Sequence, residues 1–197
     1  MNVLFPRIPL WDPDRFLKTW MPVVRVGFSK LGAVIWLLVV GLAVALLLPE
    51  GEAIKEGAKN AIAPHNWLWL WAVFVVIKLI HELGHGFMCR RFGGEVHELG
   101  IMFLVFVPAP YVDASSAWSF PNKWHRIFVG AAGMIVELFV AAILTIVWLQ
   151  MNHETLWAQL MFNAMLVASV STVIFNANPL LRYDGYYILS DFLEIPN

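Results

Sequence analysis

A single cysteine, Cys89, excludes any disulfide within this chain of 197 residues. Charge is scarce too. Asp, Glu, Lys and Arg make up 14% of the residues, where soluble domains hold about 25%. The formal net charge of -1 gives no basic surface for nucleic acid, so no nucleic-acid partner is expected. Internal repeats and low-complexity segments are lacking. The first apolar run starts only near Leu31 and no small-residue cleavage pattern follows it, so a cleavable signal peptide is not expected. What abounds is apolar: 60% of residues are hydrophobic, ten are tryptophan, and mean hydropathy is +0.70. This is the composition of an integral membrane protein with several membrane interfaces.

Residues 1–30 carry Arg7, Arg15, Lys18, Arg25 and Lys30 against Asp12 and Asp14. They read as a cytoplasmic or interfacial N-terminal segment, with a loose tail as the equal alternative. Asp12-Pro13-Asp14 marks a turn and a helix start, with Phe16, Leu17 and Trp20 at headgroup level. The remainder, 31–197, reads as a membrane-embedded core. Leu31–Leu48 is the first span, ended by Pro49, and 49–66 reads as a polar loop. The second span opens on Trp67, Trp69 and Trp71 and closes on Arg90 and Arg91. After Gly93-Gly94, the stretch Glu95–Val107 is too short to cross and rich in Val, Phe and Leu. It predicts a short strand or re-entrant hairpin, stopped by Pro108 and Pro110, with a loop lying on the surface as the alternative. Backbone at that depth must be buried in protein or line a polar cavity. Ile127–Leu149 is the third span. Its Gly130-Ala131-Ala132-Gly133 run lets a neighbouring helix approach, and Glu137 lies inside it. Trp157–Phe175 is the fourth span, and Tyr186–Leu193 reads as a short helix. The expected fold is an all-α membrane protein: a bundle of about four transmembrane helices with a short β-strand or re-entrant element after the second. Lys and Arg cluster before the first span, after the second and before the third. That places the N-terminus and 111–126 in the cytoplasm, with 49–66 and 150–156 opposite.

The second span contains His81-Glu82-Leu83-Gly84-His85, an H-E-x-x-H pattern. On a helix the two histidines sit one turn apart on one face, where both imidazoles reach one metal ion. Glu82 is offset around the helix, placed to touch a water on that metal. Ionisable groups inside a membrane cost about 2.5–3.5 kcal/mol each and usually mark function. Lys78, Glu82 and both histidines fall within eight positions. A bland alternative is an internal Lys78–Glu82 ion pair at i,i+4. Three residues compete to complete a ligand set: Cys89, displaced along the same helix; Glu137, which has a second use in pairing with Lys78; and Asp184, which follows a Pro-interrupted stretch. Cys89 reads as an ordinary apolar cysteine. His65, His97, His125 and His153 fall in predicted loops and read as solvated or interfacial.

His81-Glu82-Leu83-Gly84-His85, followed by Asn176-x-x-Pro179-x-x-x-x-Asp184-Gly185, resembles the site-2 protease family of intramembrane zinc metalloproteases. The segment Asn178–Tyr187 is most similar to a bacterial branch of peptide zinc metalloproteases. The likeness covers roughly residues 67–190. It implies zinc as cofactor, His81, His85 and Asp184 as its ligands, and Glu82 as the catalytic base. It implies hydrolysis of peptide bonds in membrane-spanning or membrane-associated peptides by zinc-activated water. The setting would be the bilayer of a bacterial cytoplasmic membrane. An export partner or a C-terminal domain would accompany this chain, which ends at Asn197 as part of something longer. Asn176 and Asn178 are candidates for holding the substrate backbone or the oxyanion; the other reading is that they satisfy backbone opened by Pro179. An extended substrate is expected to pair with the strand near 95–103. On the third span, Ala132-Gly133-Met134 and Glu137 stand where many members carry Ala-Gly-Pro and a later Asn. The resemblance assigns no role there. A non-proteolytic membrane component of a peptide export or processing complex, a pseudoprotease scaffold, is the alternative, and in it Glu82 would be dispensable. A di-iron enzyme would need further histidine clusters that the sequence lacks.

Overall fold

The computed structural model describes residues 6–104 and 107–195. The chain enters as strand β1 (Arg7–Trp11) and turns at Pro13 into helix α1 (Asp14–Gly27). The Asp12 carboxylate accepts the Asp14 N–H at 2.9 Å and sets that start. Helix α1 is amphipathic. Its Leu17 is fully buried in a cluster with Met88, Cys89 and Val129, so Leu17→Ala would cost about 2–5 kcal/mol. Asp14, buried beneath it, pairs with Lys18 at 2.6 Å and Arg90 at 3.4 Å.

Helix α2 (Lys30–Leu47) follows, its first turn capped by the Ser29 hydroxyl. Most of its surface is apolar and outward-facing, as a lipid-exposed helix requires. The expected polar loop is instead a helix, α3 (Gly51–Ile62). Ala53, Ile54, Gly57, Ala58 and Ala61 recur at helical spacing and are covered, while Glu52, Lys55, Glu56 and Lys59 face out. Helix α4 (Trp67–Arg91) is the span with the H-E-x-x-H pattern.

Strands β2 (Leu99–Leu104) and β3 (Val107–Val112) then form a hairpin, and β1 adds to its other side, in the antiparallel order β1-β2-β3. Two expectations need correction. Pro108 and Pro110 do not stop the element; both lie inside β3. The Asp113 N–H reaches Glu98 O at 2.9 Å, so odd-numbered residues of this segment point their N–H at β2 and even-numbered ones point theirs outward. Proline is tolerated there because no ladder bond is lost. The stretch near 95–103 is also not an available edge. Strand β2 is central, and its two sides are taken by β1 and β3.

Helix α5 (Lys123–Trp148) starts on an Asn122 cap and crosses α4 closely. A Cβ on Gly84 would meet Ala132 O at 3.0 Å and Gly133 Cα at 3.1 Å. Helix α6 (Leu156–Val170) continues into a wider π-helical turn, Ser171–Asn176, before the chain returns to helix α7 (Asp184–Leu193) packed on α5. Four helical stretches, 30–47, 64–91, 123–148 and 156–176, are long and apolar enough to cross a membrane. The fold is an all-α membrane bundle with a small sheet after the second span. Helix α3 and the 149–155 connection share one end, around a cavity of about 490 Å³. The ion pairs Arg126–Asp191 (2.6 Å) and Lys123–Glu194 (2.5 Å) join the start of α5 to α7 at the other.

Candidate metal centre

Three donors converge where α4, α5 and the start of α7 meet. His81 Nε2 and His85 Nε2 are 3.0 Å apart. Asp184 Oδ2 lies 3.0 Å from the first and 3.5 Å from the second. Spacing of i,i+4 on α4 aligns the two rings. Gly185 lets the chain fold back sharply enough to deliver Asp184: a Cβ there would lie 2.6 Å from the Ala177 carbonyl.

The outer ring nitrogens fix which lone pairs face inward. His85 Nδ1 is 2.7 Å from the Val129 carbonyl, which can only accept, so Nδ1 carries the proton. His81 Nδ1 is 2.7 Å from Glu137 Oε2, a carboxylate that accepts likewise. Both Nε2 lone pairs therefore point at one another and at Asp184 Oδ2. That oxygen is buried and accepts no hydrogen bond from a described residue. Three converging lone pairs repel unless a cation lies among them. Tetrahedral zinc with bonds of about 2.0–2.2 Å has donor–donor edges of about 3.3–3.6 Å, and the observed spacings sit close to that range. The residues fit the metal. Carboxylate or carbonyl partners behind the ligating imidazoles are the usual support of such sites.

One face of α5 serves all of this. Val129, Gly133 and Glu137 recur every four residues, beside His85 and His81, which run the other way along α4. Gly133 leaves the rings room: a Cβ there would meet His85 Nε2 at 2.5 Å and His81 Nε2 at 2.7 Å.

Glu82 faces a cleft of about 410 Å³ that His85, Asp184, Tyr111, Val112, Trp118 and Tyr187 also line. Its Oε2 accepts the outward N–H of Val112 at 3.1 Å. No Lys78–Glu82 pair forms. Lys78 turns instead to Glu137, at 3.2 Å. Asn176 is buried with its amide 3.5 Å from Glu137, and Asn178 caps the Leu180 N–H at 2.9 Å. Cys89 contacts the Ser116 hydroxyl at 3.2 Å, away from the converging donors. His125 and His153 stack on Phe92 and Trp148. Sequence reasoning missed Gly133 and the Val129 carbonyl. Four-residue steps back from Glu137 put both on one face of α5, but not what α4 places against them.

Residues 69–163 match the family model described as Peptidase family M50. The chain is site-2 protease-like. The M50 match contains His81, Glu82, His85, Val129 and Glu137 and ends before Asn176 and Asp184. Bacillus subtilis YydH, named provisionally as a peptide zinc metalloprotease protein, is 28% identical over 131 residues, 66% of this chain and 49% of its own length. An uncharacterized protein of Methanocaldococcus jannaschii is 25% identical over 131 residues, 62% of this chain and 35% of its own length. The chain thus spans about half of one relative and about a third of the other. No solved structure matches this M50-like chain.

Proposed function

We propose that this chain carries the catalytic centre of an intramembrane zinc metalloprotease acting on membrane-spanning or membrane-associated peptides. The observation that carries the reading is the convergence of His81 Nε2, His85 Nε2 and the buried Asp184 Oδ2, to which no other described residue donates, beside Glu82 in the cleft. Zinc held by those three residues supplies Lewis acidity, polarising a carbonyl and easing the deprotonation of water. Glu82 takes that proton and returns it to the leaving amine. The Val112 N–H steadies the Glu82 carboxylate at the cleft wall. Strand β3 borders the same cleft through Pro110, Tyr111 and Val112. Its outward carbonyls accept from an extended peptide, whereas a peptide bond inside a helix is shielded. The likeness to a bacterial branch of peptide zinc metalloproteases favours a bacterial cytoplasmic membrane, and the distribution of Lys and Arg favours a cytoplasmic N-terminus.

The test is Glu82→Gln in purified protein. Zinc content should stay at the wild-type level, because no ligand is lost. Cleavage of a membrane-peptide substrate should fall by about 10²-fold or more. Wild-type cleavage by this variant overturns Glu82 as the base, and a wild-type protein that cleaves no membrane peptide overturns the reading in favour of a non-proteolytic component of an export or processing complex.

A further inference from the structure

The group behind His81 is more elaborate than the one behind His85. Glu137 is fully buried in mid-bundle, yet its carboxylate has four partners, two on α4 and two on the π-helical turn after α6. His81 Nδ1 approaches at 2.7 Å and Lys78 Nζ at 3.2 and 3.3 Å. The Ser171 hydroxyl donates to Oε1, and the Asn176 amide reaches Oε2 at 3.5 Å. Lys78 Nζ also donates to Ser171 Oγ at 2.9 Å, which closes the network.

We propose that Glu137 is a positioning residue of the metal centre, orienting His81 and tying it to the segment that delivers Asp184, with Lys78 as its fixed counter-charge. This deepens the zinc reading above and rests on it. Three features converge on the assignment. The first is charge. A carboxylate without a cation is strongly disfavoured in a dry interior, and Lys78 meets both of its oxygens. Anionic Glu137 strengthens His81 as a donor beyond what a neutral carbonyl does for His85.

The second feature is the π-helical turn. Ser171 and Asn176 are five residues apart. An α-helix at 3.6 residues per turn would separate them by about 140° around the axis. The wider turn, closed by the Ala177 N–H on Thr172 O at 2.8 Å, brings both onto Glu137. The third is mechanical continuity. Gly185 is pressed against the backbone of Asn176 and Ala177, so the residue that contacts Glu137 also seats the residue beside Asp184. Two of the three metal donors are therefore referred to one carboxylate.

The experiment measures zinc affinity by competition with a chromophoric chelator, and the visible spectrum of the cobalt-loaded protein, on the full chain in detergent. Glu137→Gln should weaken zinc by about 10–100-fold and shift the cobalt bands. Glu137→Gln with Lys78→Met removes the stranded cation as well. It should keep wild-type helicity and stay as weak for zinc, so it decides the matter if the single variant unfolds. Asn163→Ala disturbs an equally buried network, Asn66–Asn163–Gln159, that touches no metal donor. It should lower Tm and leave affinity unchanged. Wild-type protein that binds zinc, with both Glu137 variants within twofold of it, overturns this assignment alone. Wild-type protein that binds no zinc overturns the zinc reading and this assignment with it.

Discussion

A methyl group on Gly133 would stand 2.5 Å from His85 Nε2. That distance is well inside van der Waals contact, and the atom it strikes is one of the converging imidazole nitrogens rather than a flexible chain end. Gly133→Ala should therefore push the imidazoles apart at a stability cost of about 1–3 kcal/mol, typical of overpacking. Zinc retention after dialysis should fall steeply while far-UV circular dichroism still reports a helical bundle. Full zinc content in a folded Gly133→Ala protein would show that the donors do not meet where the structure puts them.

Asp184→Asn should weaken zinc binding and remove activity, since it replaces a buried anionic donor with a neutral amide. Cys89→Ala should change neither, because the thiol contacts Ser116 and not the histidines. Paired metal analyses of the two variants check this. Equal zinc content in both would strip Asp184 of its role.

Residues 55 and 123 should label from opposite sides of the membrane. Lys55 lies on α3, at the end shared with the 149–155 connection, and Lys123 opens α5 at the other. Introducing Lys55→Cys or Lys123→Cys into a Cys89→Ala background allows impermeant thiol reagents to report each side. Labelling of both from one face would contradict the arrangement.

The attachment of β1 should depend on pH. His97 lies 3.0 Å from Asp12 and 3.4 Å from Glu95. The hydrogen bond to Asp12, then that to Glu95, raises its pKa above the ordinary 6.5. The bond from the Asp14 N–H, then that from His97, holds Asp12 below the ordinary 3.8. The histidine contribution is complete below 6.5 and fades as pH rises through its raised value. The aspartate contribution is complete above 3.8 and fades as pH falls through its lowered one. Amide exchange in β1, corrected for the intrinsic pH effect, should be slowest between the two. Both groups are exposed, so the effect is small. His97→Gln should flatten its alkaline side.

How far the sequence foretold this arrangement depended on the kind of information each part needed. His81, Glu82 and His85 were legible because four-residue spacing on a helix is itself a geometric statement. The Lys78–Glu137 pairing was legible as one alternative, since two buried charges of opposite sign need each other. Helix α3 was misread because its four charged residues drew attention from the apolar stripe between them. Strand β1, Arg7-Ile8-Pro9-Leu10-Trp11, shows no polar–apolar alternation that marks a strand; it is a strand because β2 leaves an open side. Gly133 could be seen as small, but not that two nitrogens crowd it, because that depends on where α4 crosses α5.

The two prolines of β3 have an effect on the molecule's relations with its own kind. Exposed sheet edges commonly join, each supplying the donors the other lacks. Of the outward positions on β3, 108 and 110 have no N–H, and the N–H at 112 is already given to Glu82. Two copies brought edge to edge here would present oxygen to oxygen. The protein can leave a strand open at the mouth of its cleft without that strand becoming a seed for self-association.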